Sequence, residues 1–162
     1  MSIVHSVAAR LFAVAGLLLA ASAGARELSS ADRATLARLV ERTDRAWNGR
    51  DAAMLASFYV DEATLRIGSR DGTVDGVKAI RDYFTQSFAR VDPALRHETT
   101  LIGLHALADD VVIADTTVEL VTQDENGQRK VMRRFTTPTI AIRRGDDWKI
   151  AAVRAQVVPE PR

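Results

Sequence analysis

The sequence predicts an α+β fold in which N-terminal helices pack on a curved, mainly antiparallel sheet. Three observations predict it. Apolar residues recur at helical spacing in most of the chain up to residue 88, and at a spacing of two from residue 96 onward. Helices first and strands afterwards is the order of segregated layers, not of alternating βαβ units. Short links of turn residues join the last four strands, which makes them antiparallel neighbours that curl around the helices.

Residues 1–25 stand apart from this pattern. Arg10 precedes an apolar and small-residue run from Leu11 to Ala23, shorter than the roughly 20 apolar residues that span a bilayer. Its order is that of a signal peptide: a weakly basic start, an apolar centre, then small residues at the cleavage spacing. Ala23-Gly24-Ala25 is the preferred cleavage site and Ala21-Ser22-Ala23 the alternative. The expectation is an exported protein, periplasmic or secreted, with no stable membrane anchor after cleavage.

The elements of the remaining chain follow in order. Ser29 can cap a first helix, with Asp32 three residues later; Leu36, Leu39, Val40, Thr43 and Trp47 recur along one side of it. Asn48-Gly49 is the expected stop, with Gly49 in the left-handed conformation that glycine adopts without steric cost. Asp51 can cap a short second helix carrying Met54, Leu55 and Phe58. Residues 63–67 are the expected first strand, and Gly68 to Gly76 a loop. Val77, Ile80, Phe84 and Phe88 form the apolar side of a third helix. Strands are expected at about 97–107, 111–122, 129–142 and 148–157, with turns at Asp109-Asp110, Asn126-Gly127 and Gly145-Asp146-Asp147. The expected domain is 26–157, followed by a loose tail at 158–162.

Composition excludes several classes of function. The chain carries 22 Lys and Arg against 21 Asp and Glu; Arg10 lies in the leader, so the remainder has 21 of each. A balanced charge argues against a nucleic-acid or anionic-membrane partner, since both need a sustained positive field. There is no cysteine, which removes thiol chemistry and thiolate metal sites. His5, His97 and His105 lack metal-ligand spacing, so neither a metal nor a cofactor is expected.

Four segments carry a family resemblance: Ala46-Trp47-Asn48-Gly49-Arg50-Asp51, Phe58 to Thr64, Asp75 to Arg81, and Arg143 to Ile150 ending in Asp147-Trp148-Lys149-Ile150. Together they resemble the nuclear transport factor 2-like (cystatin-like) superfamily over roughly residues 29–157. The tryptophan-bearing joint and the terminal hairpin look most like its SnoaL-like and SgcJ/EcaC-like branches. The resemblance implies a cone-shaped barrel of helices and curved sheet. It does not by itself imply a reaction, because this fold hosts many. The superfamily's ketosteroid isomerases use an oxyanion tyrosine, a carboxylate base and a protonated acid. Their positions fall here on Thr43, Ile67 and Ile140, none of which can do that chemistry; the neighbours Thr139 and Ala141 are not acids either.

What remains are candidates for binding. If Ile67 and Ile140 face inward, alternation puts Leu65, Arg134, Thr136, Pro138 and Ile142 on the same faces. The expected pocket is then apolar, lined by Trp47, Phe58, Tyr59, Leu65, Ile67, Tyr83 and Ile140. Arg134 either reaches into it, paired with Asp115, Glu119 or an acidic ligand, or lies in solvent in a cross-strand pair. Tyr59 either reaches the cavity mouth or packs between helix and sheet. His97 can serve as a general base or be a surface residue, and His105 reads as a sheet histidine. The first expectation is a hydrophobic small molecule as ligand. The second is a homodimeric association module, with Val112, Ala114, Thr116, Val118 and Leu120 as its exposed face. The third is an acid–base enzyme using Asp115, Glu119 or His97.

Overall fold

The computed structural model describes residues 27–68 and 72–159; the expected leader, both candidate cleavage sites and the end of the expected tail lie outside them. Helix α1 (Ser30–Asn48) starts where the sequence places it, with the Ser29 hydroxyl accepting the Asp32 N–H at 3.1 Å. Helix α2 (Ala52–Ala56) is capped by Asp51, whose carboxylate accepts the Met54 N–H at 2.8 Å. Both caps satisfy a backbone donor that the helix itself leaves unpaired. The joint between them departs from expectation. Gly49 is right-handed at φ −78°, and the left-handed residue is Arg50 at φ 57°.

Strand β1 (Tyr59–Ile67) begins four residues earlier than the sequence suggests, and the glycine-rich loop after it contains a two-residue strand β2 (Val74–Asp75) paired back onto β1. Helix α3 (Val77–Phe88) follows Gly76, whose φ of 86° fits glycine. Strands β3 (Arg96–Ala108) and β4 (Val111–Gln123) form the expected hairpin. The strand expected at 129–142 is two strands, β5 (Arg129–Thr136) and β6 (Thr139–Arg144), broken at Thr137-Pro138. Proline has no N–H to give to a ladder. Thr116 spans the break: its carbonyl accepts the Thr137 N–H and its hydroxyl donates to the Thr137 carbonyl, each at 2.8 Å. Strand β7 (Asp147–Val157) closes the chain.

The strands form one sheet in the order β2-β1-β7-β5-β4-β3, with β6 between β4 and β7. Every pairing is antiparallel except β1 with β7. Helices on one side of this curved sheet make the cone-shaped α+β fold that the motifs imply. The main core joins Leu36 and Leu39 of α1, Leu55 and Phe58 around α2, Ile80 and Phe84 of α3, and Leu65, Val112, Ala141, Trp148 and Ile150 of the sheet.

Trp148 shows how the terminal hairpin motif works. Its indole N–H donates to Asp32 at 3.1 Å, Arg143 donates to the same carboxylate at 2.6 Å, and the guanidinium sits 4.5 Å over the indole ring. Ser29, Arg143 and Trp148 donating together hold the Asp32 carboxyl down at about 2. One carboxylate therefore accepts from the capping hydroxyl of Ser29 and ties the start of α1 to the β6–β7 hairpin.

Two assignments of sheet face are corrected. Val112, Ala114, Thr116 and Val118 are buried and Leu120 is half-buried, so they form the inner face, not an exposed one. On β5, β6 and the break between them the buried residues are Phe135, Thr137 and Ala141, so Arg134, Thr136, Pro138 and Ile140 belong to the outer face, while the half-buried Ile142 packs against the main core. Alternation from an inward Ile140 gives the wrong phase, because side-chain period two turns any one-residue error into a change of face.

Candidate functional site

The expected pocket residues separate into three groups. Phe58, Tyr59 and Leu65 are core, each less than one-tenth exposed; burial pushes the Tyr59 phenol far above its usual range, so Tyr59 packs and does not reach a cavity mouth. Arg134, Asp115, Glu119 and Ile140 lie on the outer face. There Glu119 accepts Arg134 Nε at 2.7 Å and also binds Arg129, which bridges on to Glu98 at 2.6 Å. The two guanidinium groups hold the Glu119 carboxyl below the ordinary carboxylate range. Asp115 sits 3.3 Å from His105, both well exposed. Arg134 is thus a cross-strand ion pair and offers nothing to a ligand inside the cone. Trp47, Tyr83 and Ile67 are half-buried against the core and remain on the inner side.

The inner side carries a polar cluster instead. Val40, Asp44 and Trp47 lie four and three residues apart on α1, so they share one helical face. That face meets the start of β3. His97 Nδ1 lies 2.7 Å from Asp44 Oδ1, and Thr99 gives the same carboxylate its hydroxyl at 2.6 Å and its N–H at 2.8 Å. Asn48 clasps the His97 backbone from both directions, accepting its N–H at 2.8 Å and donating to its carbonyl at 2.9 Å. The Trp47 ring lies 5.0 Å from the imidazole, tilted by 33°.

The electrostatics of this cluster are those of an oriented imidazole. Burial raises the Asp44 carboxyl, but the hydrogen bonds from His97 and Thr99 outweigh it and leave the group below its ordinary value of 3.8. Asp44 is therefore ionised and can only accept, so in the neutral ring the His97 proton sits on Nδ1 and the lone pair on Nε2. Among the described residues Nε2 has no hydrogen-bond partner, and it is not among the buried unpaired atoms. The His97 and Asp44 side chains are each 20% exposed. A carboxylate that fixes one nitrogen and frees the other is the arrangement general bases use.

A second, smaller apolar cluster joins Val118, Phe135 and Ala155 on the inner face, with Ile67 and Leu120 packed against it; it contains no helix residue and meets the main core at Ile67. Beside it Thr137 is 8% exposed, with its hydroxyl buried and unpaired. The inner wall is therefore apolar with an unused hydroxyl, and the Asp44–His97 pair lies where α1 meets the start of β3. The isomerase positions remain empty of that chemistry: Ile67 is apolar, the Thr43 hydroxyl donates to the Val40 carbonyl at 2.7 Å, and Thr139 and Ala141 flank the outward Ile140. Among the described residues no group of His, Asp and Glu is arranged to hold a metal ion, and no helix is long and apolar enough to cross a membrane.

The family model of the SnoaL-like domain matches residues 40–153, more than half of the chain. The chain belongs to the SnoaL-like family. Solved structures agree on the fold. Aln2 from a Streptomyces species superposes with a TM-score of 0.73 at 16% identity, covering 82% of this chain and 94% of that one. A protein from Catenulispora acidiphila in complex with S-DNPA gives 0.67 at 16% identity, covering 80% and 95%. An NTF2-like protein with a cystatin-like fold from Novosphingobium aromaticivorans gives 0.69 at 15%, covering 79% and 82%. No curated protein matches the chain.

Reading the sequence alone finds His97 but misses Asp44. The signal is present: Asp44 is a carboxylate between Val40 and Trp47 on the apolar side of its helix, where a lone charge requires a partner.

Proposed function

We propose that this SnoaL-like domain binds a small, mainly apolar molecule inside the cone and that His97, held by Asp44, exchanges a proton with it. The observation that carries the reading is the 2.7 Å contact of His97 Nδ1 with Asp44, which leaves Nε2 open beside Trp47. The ligand class that fits is a hydrophobic compound with a hydroxyl or an acidic C–H to present to Nε2. Its proton would pass to Nε2, the electron pair would stay on the ligand, and the Asp44 carboxylate would stabilise the imidazolium. The ligand complex of the Catenulispora relative supports binding by this fold. The Trp47 joint and the Trp148 hairpin support the SgcJ/EcaC-like branch. The basic start and apolar run of residues 1–25 support export, which N-terminal sequencing of the mature protein would check at Arg26.

Native mass spectrometry of the protein purified from periplasm or culture medium, followed by thermal shift against a panel of hydrophobic compounds, tests the reading. A compound that stabilises the wild type and loses at least about tenfold in affinity in His97→Ala is the expected result. Equal binding by His97→Ala and wild type would refute the role of His97, and an empty wild-type protein unmoved by every compound would refute binding.

A second reading, self-association through the outer face of the sheet, is favoured by Ile102 at 65% and Ile140 at 37% exposure. Sedimentation of Ile140→Lys against wild type tests it: a dimer that the substitution dissociates supports the reading, and a monomeric wild type excludes it.

A further inference from the structure

The joint between α1 and α2 places an arginine where the backbone and one of its own nitrogens are both unfavourable. Arg50 is the single left-handed non-glycine among the described residues, although Gly49 beside it would adopt that conformation freely. Its Nη1 is buried with no hydrogen-bond partner. A strained backbone and an unpaired buried donor each destabilise the fold. They persist only where other contacts fix the residue.

Those contacts converge on one neighbour. Arg50 Nη2 donates to the carbonyls of Asp92 at 2.8 Å and Leu95 at 2.9 Å, in the link that leads from α3 into β3. The guanidinium lies 4.4 Å over the Trp47 ring and 5.6 Å from the Phe88 ring. Leu95 is two residues before His97, Trp47 lies against the His97 imidazole, and Asn48 clasps the His97 backbone. A right-handed Arg50 would send the side chain elsewhere, and the start of β3 would lose its tie to the joint.

We infer that Arg50 is a positioning residue for His97: it holds the start of β3 and the Trp47 ring so that the imidazole meets Asp44. The inference deepens the reading of His97 as the proton-exchanging group and rests on it for its functional meaning, while its test reads His97 directly. The Trp-Asn-Gly-Arg-Asp segment then has a role for each residue except the glycine: Trp47 stacks, Asn48 clasps, Arg50 ties the link and Asp51 caps α2.

The test is nitrogen NMR of the full mature chain as wild type, Arg50→Ala and Arg50→Gly, with Arg134→Ala as a surface control. Glycine accepts the left-handed backbone, so Arg50→Gly removes the guanidinium without leaving strain and carries the test if Arg50→Ala folds poorly. Both Arg50 variants are expected to lose the Nδ1–H signature of the His97 ring and to exchange the His97 amide at least about tenfold faster, with amides at Ile80 and Val112 unchanged. An Arg50→Gly protein with the wild-type His97 ring signature overturns the inference, and so does an equal acceleration of all core amides. Loss of the signature with unchanged ligand affinity would uphold Arg50 as the positioner of His97 and refute proton exchange by His97.

Discussion

Replacing Asp44 by Asn separates charge from shape in the His97 cluster. The carboxylate now accepts three hydrogen bonds on two oxygens: His97 Nδ1 at 2.7 Å and the Thr99 hydroxyl at 2.6 Å on Oδ1, and the Thr99 N–H at 2.8 Å on Oδ2. Asparagine has one accepting oxygen. The Thr99 N–H cannot turn around, so the amide oxygen must face it. The NH2 then faces His97 and the Thr99 hydroxyl, both of which can become acceptors. His97 does so by moving its proton from Nδ1 to Nε2. Exchanging charge-assisted for neutral hydrogen bonds costs about 1 kcal/mol each, so the three exchanged bonds give a loss of about 3 kcal/mol. For a domain of this size that lowers Tm by about 10 °C. Long-range proton–nitrogen correlation of the imidazole reads the tautomer, and thermal unfolding by circular dichroism reads the loss. The expected Asp44→Asn protein is folded, less stable, carries Nε2–H and lacks the open lone pair of the wild type. A ring still protonated on Nδ1, or a Tm unchanged within about 1 °C, would refute the reasoning.

Three further outcomes follow from the same structure. Acid weakens the latch between α1 and the β6–β7 hairpin. The Asp32 carboxyl sits at about 2 in the fold against 3.8 ordinarily, so its contribution is complete above about pH 4 and is lost as pH falls toward 2; urea midpoints measured across that range should fall in the wild type and fall less steeply in Asp32→Asn. Arg134→Ala removes a half-exposed outer-face pair with Glu119, so it should cost no more than about 1 kcal/mol, less in high salt, and leave any ligand affinity unchanged by isothermal titration. Ile80→Ala opens a hole at a side chain that is 0% exposed in the main core, and denaturant unfolding should show a loss of about 2–5 kcal/mol.

The parts of the fold legible in the sequence are those set by neighbours along the chain. Ser29 and Asp51 cap their helices because a short side-chain oxygen two or three residues from a free N–H is a local arrangement. The hairpin at Asn126-Gly127 is local too, with Gly127 at φ 73°. Which face a residue of β5 or β6 presents is not local. It depends on register across the sheet: Ala141 lies opposite the buried Val112 and Ile140 opposite Ile113, and the phase runs unchanged through Thr137-Pro138. Counting by two from Ile67 and Ile140 therefore places Arg134 inside, whereas Phe135, Thr137 and Ala141 fill the inner positions. The Asp44–His97 pair, separated by 53 residues, is half legible: His97 stands out as titratable, and Asp44 passes as one charge among many on a polar helix.

The absent isomerase groups and the Asp44–His97 pair bear on each other. In the isomerase arrangement that the resemblance implies, the base would stand at Ile67 on β1 and the oxyanion donors at Thr43 and Ile140. In this chain β1 gives only an apolar wall, Thr43 spends its hydroxyl on its own helix, and Ile140 is outside. The titratable pair is instead one residue along α1 from Thr43 and across on β3, clasped by the joint that made the family recognisable. A ligand meeting Nε2 there would find the apolar inner wall for its body and no second acid to stabilise a growing negative charge among Thr43, Ile67 and Ile140. Proton exchange at His97 therefore suits a ligand that carries its own charge-delocalising group better than one that needs the protein to supply an oxyanion hole. In the compound panel, acidic phenols and enolic diketones should accordingly outrank simple ketones of equal hydrophobic area. The opposite ranking would place the binding determinant in the Val118, Phe135 and Ala155 wall and not in His97.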